Sequence, residues 1–113
     1  MKTTEIGHKA EAAAVSYLKQ NGFKVLDQNW RTRYCEIDVV AEKGNCVYFV
    51  EVKYRKSNEW GGGLEYITHT KQKQMTLAAE MWVFTYDWQK DYALAAIELS
   101  GEAFTITNII FDL

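Results

Sequence analysis

Asp38, Glu51 and Lys53 are the residues of this sequence whose types and spacing best suit chemistry. They lie in two apolar runs, Glu36-Ile37-Asp38-Val39-Val40-Ala41 and Cys46-Val47-Tyr48-Phe49-Val50-Glu51-Val52-Lys53, whose β-branched and aromatic content predicts adjacent strands. Gly44-Asn45 between them reads as a two-residue hairpin turn. Such a turn sets Lys43 against Cys46, which places Asp38 opposite Glu51 and Glu36 opposite Lys53. Side chains two apart on a strand share a face, so the four are expected to form one polar quartet.

Two carboxylates directly opposed, with Cβ atoms about 5 Å apart, repel unless a proton or cation lies between them. A hard divalent ion resolves the conflict, and Mg²⁺ (or Mn²⁺) suits oxygen ligands better than zinc does. Lys53 beside such an ion would stabilise or help deprotonate water. The plainer alternative is a cross-strand salt-bridge ladder on a solvated face, with Glu36 paired to Lys53 and Asp38 idle. Phe49, on the face of Glu51, argues against full solvation.

Other candidates surround this group. Glu11 lies on the helical wheel beside Val15 and Leu18, at the edge of the apolar stripe; on the residues alone a solvent glutamate is the simpler reading. Basic residues fall into three groups suited to phosphate: Arg31 with Arg33, Lys53-Tyr54-Arg55-Lys56, and Lys71 with Lys73. His8 and His69 are isolated from any nucleophile and read as surface residues, so a Ser/His or Cys/His enzyme has no support. Trp60, beside Gly61-Gly62-Gly63, could stack on a base, although a loop aromatic more commonly packs under its loop or supports a dimer interface.

The elements that must position these groups are legible from periodicity. A helix is predicted over 4–21, with Ile6, Ala10, Ala13, Ala14, Tyr17 and Leu18 as its apolar stripe and Asn21-Gly22 as its stop. A strand follows over 23–28, then the two runs above, a polar glycine-bearing loop over 55–66, and a helix over 70–86. Met75, Ala78, Ala79, Trp82 and Tyr86 form its expected buried stripe. Strands over 92–99 and 104–111 complete an αβββαββ order. Tyr48, Val50 and Val52 point one way and Val47 and Phe49 the other, so both sheet faces are apolar and helices should cover both. The expected fold class is an α/β/α sandwich around a five-stranded mixed sheet, one domain over 1–113.

With 113 residues the chain can bury roughly two-thirds of its unfolded surface, enough for one core. No apolar stretch is long enough to span a bilayer, and the N-terminus lacks a signal-peptide apolar region, so no membrane partner and a cytoplasmic location are expected. Cys35 and Cys46 lack zinc-ligand spacing and read as reduced packing residues. The net charge of −2 counts against nucleic acid as a partner; a divalent ion among the carboxylates would offset two of those charges.

Gly7…Glu11…Tyr17-Leu18, Asn29-Trp30-Arg31, Glu36-Ile37-Asp38, Phe49-Val50-Glu51-Val52-Lys53-Tyr54-Arg55 and Lys71 at a helix start together resemble the YraN family of small bacterial proteins. That family is similar to the restriction-endonuclease-like, PD-(D/E)xK superfamily and, in layout, to archaeal Holliday-junction resolvases. The resemblance runs from Gly7 to about Ala79. It implies a metal-dependent phosphodiesterase with Glu11, Asp38 and Glu51 as acidic members, the Val52 carbonyl as a further ligand and Lys53 as the catalytic lysine; Glu36 joins them as a supporting carboxylate through the strand register alone. Cys35 and Ala10 stand where the family has glycine, and its Arg-Phe-Asp stretch has no counterpart near Tyr92. The implied partner is DNA rather than RNA, branched or structured by analogy, and a junction-cleaving enzyme would use a two-fold homodimer. The competing expectation is a binding or scaffold module that keeps the fold without turnover.

Overall fold

The computed structural model describes residues 3–56 and 64–113. Seven elements follow in the expected order: α1 (Thr3–Gln20), β1 (Lys24–Arg31), β2 (Glu36–Lys43), β3 (Cys46–Arg55), α2 (His69–Tyr86), β4 (Asp91–Ser100) and β5 (Thr105–Phe111). Trp60 and its glycines lie outside the described residues. None of the helices described is long and apolar enough to cross a membrane.

α1 ends where the sequence stops it. Gly22 adopts φ 87°, and the Phe23 N–H returns to the Leu18 carbonyl at 2.9 Å, closing the last turn. Between β2 and β3, Gly44 holds φ 65° at the first central position of the turn, a backbone that favours glycine. Thr68 caps α2, its hydroxyl accepting from the Lys71 N–H at 3.1 Å, and Asp87 closes the other end in the left-handed region.

The five strands lie in sequence order, β1-β2-β3-β4-β5. Every neighbouring pair is antiparallel except β3 with β4, which run parallel and are joined through α2. Alternation along β3 sends Val50 to one face and Val47 and Phe49 to the other. On the first face Ala10, Ala14, Val15 and Leu18 of α1 pack on Val39, Ala41, Val50, Ala95, Ile97 and Leu99. On the second, Ala78, Ala79 and Trp82 of α2 pack on Ile37, Val40, Val47 and Phe49. A mixed sheet between two helices is thus the α/β/α layout that the two apolar faces demand.

Two departures bear on the site. Tyr86, expected in the buried stripe of α2, is 52% exposed; its ring lies against Trp82 and its hydroxyl accepts from Trp30 Nε1 at 3.1 Å. β1 also runs on through Asn29-Trp30-Arg31, three residues beyond the strand expected from apolar content. Trp30 and Arg31 pair with Ile37 and Glu36 of β2, which recruits these polar positions into the sheet.

Leu18 is wholly buried between α1 and the sheet, whereas Phe84 stands 89% exposed on α2. Leu18→Ala is expected to cost about 2–5 kcal/mol in urea unfolding, and Phe84→Ser less than about 0.5 kcal/mol. Equal costs would contradict this assignment of the core.

Candidate functional site

The β2–β3 register follows the hairpin turn only part of the way. Lys43 pairs with Cys46, Glu42 with Val47, Ala41 with Tyr48, Val40 with Phe49 and Val39 with Val50, and the ladder then stops. Beyond that point β2 stays with β1, through Ile37 and Glu36, while β3 stays with β4 as far as Arg55 and Ser100. The sheet therefore forks between β2 and β3, and Asp38 and Glu51 are the first residues past the fork. The cross-strand pairs expected at Asp38 with Glu51 and at Glu36 with Lys53 are not made.

A change of face accompanies the fork. Ile37 and Val40 pack in the α2 cluster while Val39 and Ala41 pack in the α1 cluster, so strict alternation slips at Asp38. In β1, Gln28 opposes Val39 and Trp30 opposes Ile37; Asn29 between them has φ 50°. A left-handed residue within a strand, opposite the slip, marks a local irregularity of the bulge kind, and asparagine accepts that backbone better than most residues.

Opening a ladder strands backbone groups, and one of them is met by the site itself. Asp38 Oδ2 accepts the Val52 N–H at 2.8 Å, so a side chain takes the place of the missing strand partner. The other carboxylate oxygen has no hydrogen-bond donor among the described residues. Burial, repulsion from Glu51, and weaker repulsion from Glu11 and Glu36 push the Asp38 carboxyl from 3.8 up to about 7, although the Val52 N–H pulls it down. Asp38 is a carboxyl group with more negative neighbours than its fold neutralises.

Glu36, Asp38 and Glu51 line one hollow of about 410 Å³ together with Tyr34, Cys35, Lys71, Gln74, Met75 and Leu77. Lys71, in the first turn of α2, reaches Glu51 Oε1 at 3.0 Å. Glu36 is also met from β1 by Arg31, at 3.4 Å, in an exposed pair of little energetic weight. Glu11 acts on Asp38 through its charge from α1 but does not line the hollow.

Lys53 leaves the quartet. Exposed, it lies with its ammonium 5.6 Å from the Tyr66 ring centre, and Arg55 stands over the same ring at 5.6 Å. The Tyr66 hydroxyl is buried without a hydrogen-bond partner among the described residues. Burial first, then the charges of Glu51, Glu98 and Asp38, raise it above its ordinary value and hold it as a neutral phenol. Of the remaining basic residues, Arg33 stacks over Tyr34, Lys56 lines a separate recess with Ile6, Tyr54, Glu102 and Phe104, and Lys73 lines another with His69 and Glu80. His8 and His69 are both exposed, and both cysteines are free thiols.

Glu98 is the buried polar group near the site that sequence reading missed. Wholly buried in β4, it is opposite Lys53 in the parallel ladder. It accepts from Arg55 Nε, from Asn108 Nδ2 at 2.7 Å and from Thr107 Oγ1 at 3.0 Å. The sequence signal was a lone glutamate in the apolar run Ala93 to Leu99, a residue type rarely buried without partners.

Residues 10–109 match the model of a family described as "Uncharacterised protein family UPF0102". The chain belongs to the UPF0102 family. This is the family whose pattern the sequence resembles under the name YraN. A UPF0102 protein of Cytophaga hutchinsonii is 34% identical over 102 residues, covering 90% of each chain. One from Stutzerimonas stutzeri is 37% identical over 101 residues, 86% of this chain and 84% of its own, and one from Caldicellulosiruptor saccharolyticus is 41% identical over 83 residues, 74% and 70%.

Whether these residues suit a divalent ion turns on the donor set. Among the described residues no three His, Cys, Asp or Glu side chains stand close enough to hold a metal by themselves. Asp38 and Glu51 fit a less demanding seat: Mg²⁺ takes one or two protein carboxylates and fills its other positions with water and substrate phosphate. The excess of negative charge around Asp38 is what such an ion would relieve.

The raised carboxyl has a thermodynamic signature. Because the folded-state value of Asp38 lies above its unfolded value, protonation favours the fold. That stability is fully present below about pH 4 and is lost as pH rises through about 7. In chelator, Asp38→Asn keeps a neutral acceptor for the Val52 N–H and should gain on the order of 1–3 kcal/mol over the parent at pH 8, with no gain at pH 4. Urea unfolding across that range checks it; an equal offset at both ends would contradict the assigned charge state.

Proposed function

We propose that this chain is a metal-dependent endonuclease-like phosphodiesterase of the PD-(D/E)xK type, a single cytoplasmic domain acting on DNA in preference to RNA. Branched or structured DNA is the favoured substrate class. The observation that carries the reading is the Asp38 carboxyl at the sheet fork, repelled by Glu51, Glu11 and Glu36 and sharing one hollow with Glu51 and Glu36. A structural ion pair would set a cation against this carboxyl, and among the described residues none pairs with Asp38.

Asp38, Glu51 and the Val52 carbonyl would hold the ion, Mg²⁺ or Mn²⁺, with Glu11 adding its negative charge from α1. When bound, such an ion supplies positive charge to a scissile phosphate and acidifies water. The chain's own residues do the rest. The Val52 N–H fixes Asp38, which keeps the carboxylate aimed while the β2–β3 ladder is open. Lys53 brings an exposed ammonium, steadied over Tyr66, to stabilise the charge that gathers on phosphate. Lys71 neutralises Glu51 and stands ready to exchange that contact for a phosphate oxygen. Arg31 and Arg33 extend positive charge along the same side, while the hold of Glu98 on Arg55 makes Arg55 an orienting group for Tyr66. A two-fold dimer would let two such sites address two strands.

The Lys71–Glu51 contact favours a second reading. An ammonium already on Glu51 offsets part of the charge a metal would neutralise, which suits a nucleic-acid-binding or scaffold module without turnover.

One experiment separates the two readings. Cleavage of linear, flapped and four-way DNA is expected in Mg²⁺ or Mn²⁺, to vanish in chelator, and to fall by at least about 100-fold in Glu51→Ala. No cleavage of any substrate, or cleavage that survives the substitution, refutes the enzyme reading. Calorimetry with Mn²⁺ then tests the metal seat alone: the parent should bind, and Asp38→Ala should lose at least about tenfold in affinity.

A further inference from the structure

We infer that Tyr34 is a stacking platform for an unpaired nucleobase, so the nucleic acid this site takes carries an unpaired nucleotide beside the phosphate met at Asp38 and Glu51. The inference rests on the nucleic-acid reading above and names its substrate more narrowly. Tyr34 is 72% exposed, and a single exposed aromatic would mean little by itself. Three observations set this one apart.

The first is position. Tyr34 and the half-exposed Leu77 line the same 410 Å³ hollow as Glu36, Asp38 and Glu51. The hollow therefore brings apolar side chains and carboxylates into one lining, and its volume lies within the range of about 300–1,000 Å³ typical of small-ligand sites. A nucleotide divides in the same way, into a flat apolar base and a phosphate that a cation can bridge to carboxylate.

The second is rigidity. The turn between β1 and β2 is braced by the Tyr34 N–H on Thr32 Oγ1 at 3.0 Å and by the Thr32 N–H on the Cys35 carbonyl at 2.9 Å. The Cys35 thiol meets Thr32 Oγ1 at 3.4 Å and Met81 Sδ at 3.5 Å, tying the turn to α2. A ring held in water on a braced turn loses little entropy when a guest stacks on it.

The third is charge. The Arg33 guanidinium lies 5.5 Å from the Tyr34 ring centre, so a cation accompanies the stacking surface and can meet the backbone of the same strand. Base–aromatic stacking with a neighbouring cation is how single strands are held without sequence readout. In a continuous duplex both faces of each base are covered by its neighbours, and a ring on the wall of a hollow cannot reach them. Single strands, flaps and frayed or branched ends leave a face open.

The test uses the full chain with Ca²⁺ in the buffer and two fluorescein-labelled probes, a single-stranded oligodeoxynucleotide and the same strand in a blunt hairpin-free duplex, read by anisotropy. The parent is expected to bind the single strand more tightly than the duplex. Tyr34→Ala should weaken single-strand binding roughly 5- to 100-fold while duplex affinity stays within about twofold, and Tyr34→Phe should retain both. Unchanged single-strand affinity in Tyr34→Ala, or an equal loss for both probes, overturns the role of Tyr34 and leaves the nucleic-acid reading standing. Failure of the parent to bind either probe overturns that reading and the inference with it.

Discussion

The hydrogen bond from the Val52 N–H to Asp38 is the contact on which the site depends. A sheet that opens between two of its strands must satisfy the backbone groups it uncovers, and an apolar residue at position 38 would leave the Val52 donor stranded. An aspartate answers that need with one oxygen and leaves the other uncommitted among the described residues. The same residue thus repairs the sheet and presents charge, which explains how a half-buried carboxyl persists among three others that repel it.

Around this point the fold divides its labour by face and by strand. α1 seals one side of the sheet with small and branched residues, and α2 seals the other with Ala78, Ala79 and Trp82 while presenting Lys71 to Glu51 from its first turn. The β3 and β4 strands carry a second polar group deeper in, where Glu98 gathers Arg55, Thr107 and Asn108. A fully buried carboxylate with several donors fixes Arg55, and Arg55 with Lys53 frames the Tyr66 ring. The open acidic hollow and the closed buried network are thus linked through one strand, β3.

Element order, both apolar faces and the turn that sets the β2–β3 register were legible in the sequence, because each follows from local periodicity or from a glycine at a turn. The same arithmetic failed past Val39 and Val50, since two-residue alternation assumes a continuous ladder and contains nothing about where a sheet forks. The left-handed backbone of Asn29 and the change of face at Asp38 arise from three strands at once. Glu98 escaped notice because its partners lie on two other strands, Arg55 on β3 and Thr107 and Asn108 on β5, and only the sheet brings the three together. Tyr86 was placed in the core by spacing alone, while its hydroxyl is used at the surface by Trp30. Grouping Asp38, Glu51 and Glu36 was within reach of pattern; grouping them with Tyr34, Lys71 and Leu77 required the tertiary fold.

The parallel pairing of β3 with β4 carries a consequence for the order of assembly. Cys46 to Arg55 align with Asp91 to Ser100 only after the chain has closed around the whole of α2, while β1, β2 and β3 can form as a meander from neighbouring sequence. Asp38 and Glu51 belong to that local meander, but Lys71, which reaches Glu51, stands on the crossover. The site's carboxylates therefore sit on strands joined by short local connections, while the cation that balances Glu51 stands on the long crossover that leads from β3 to β4.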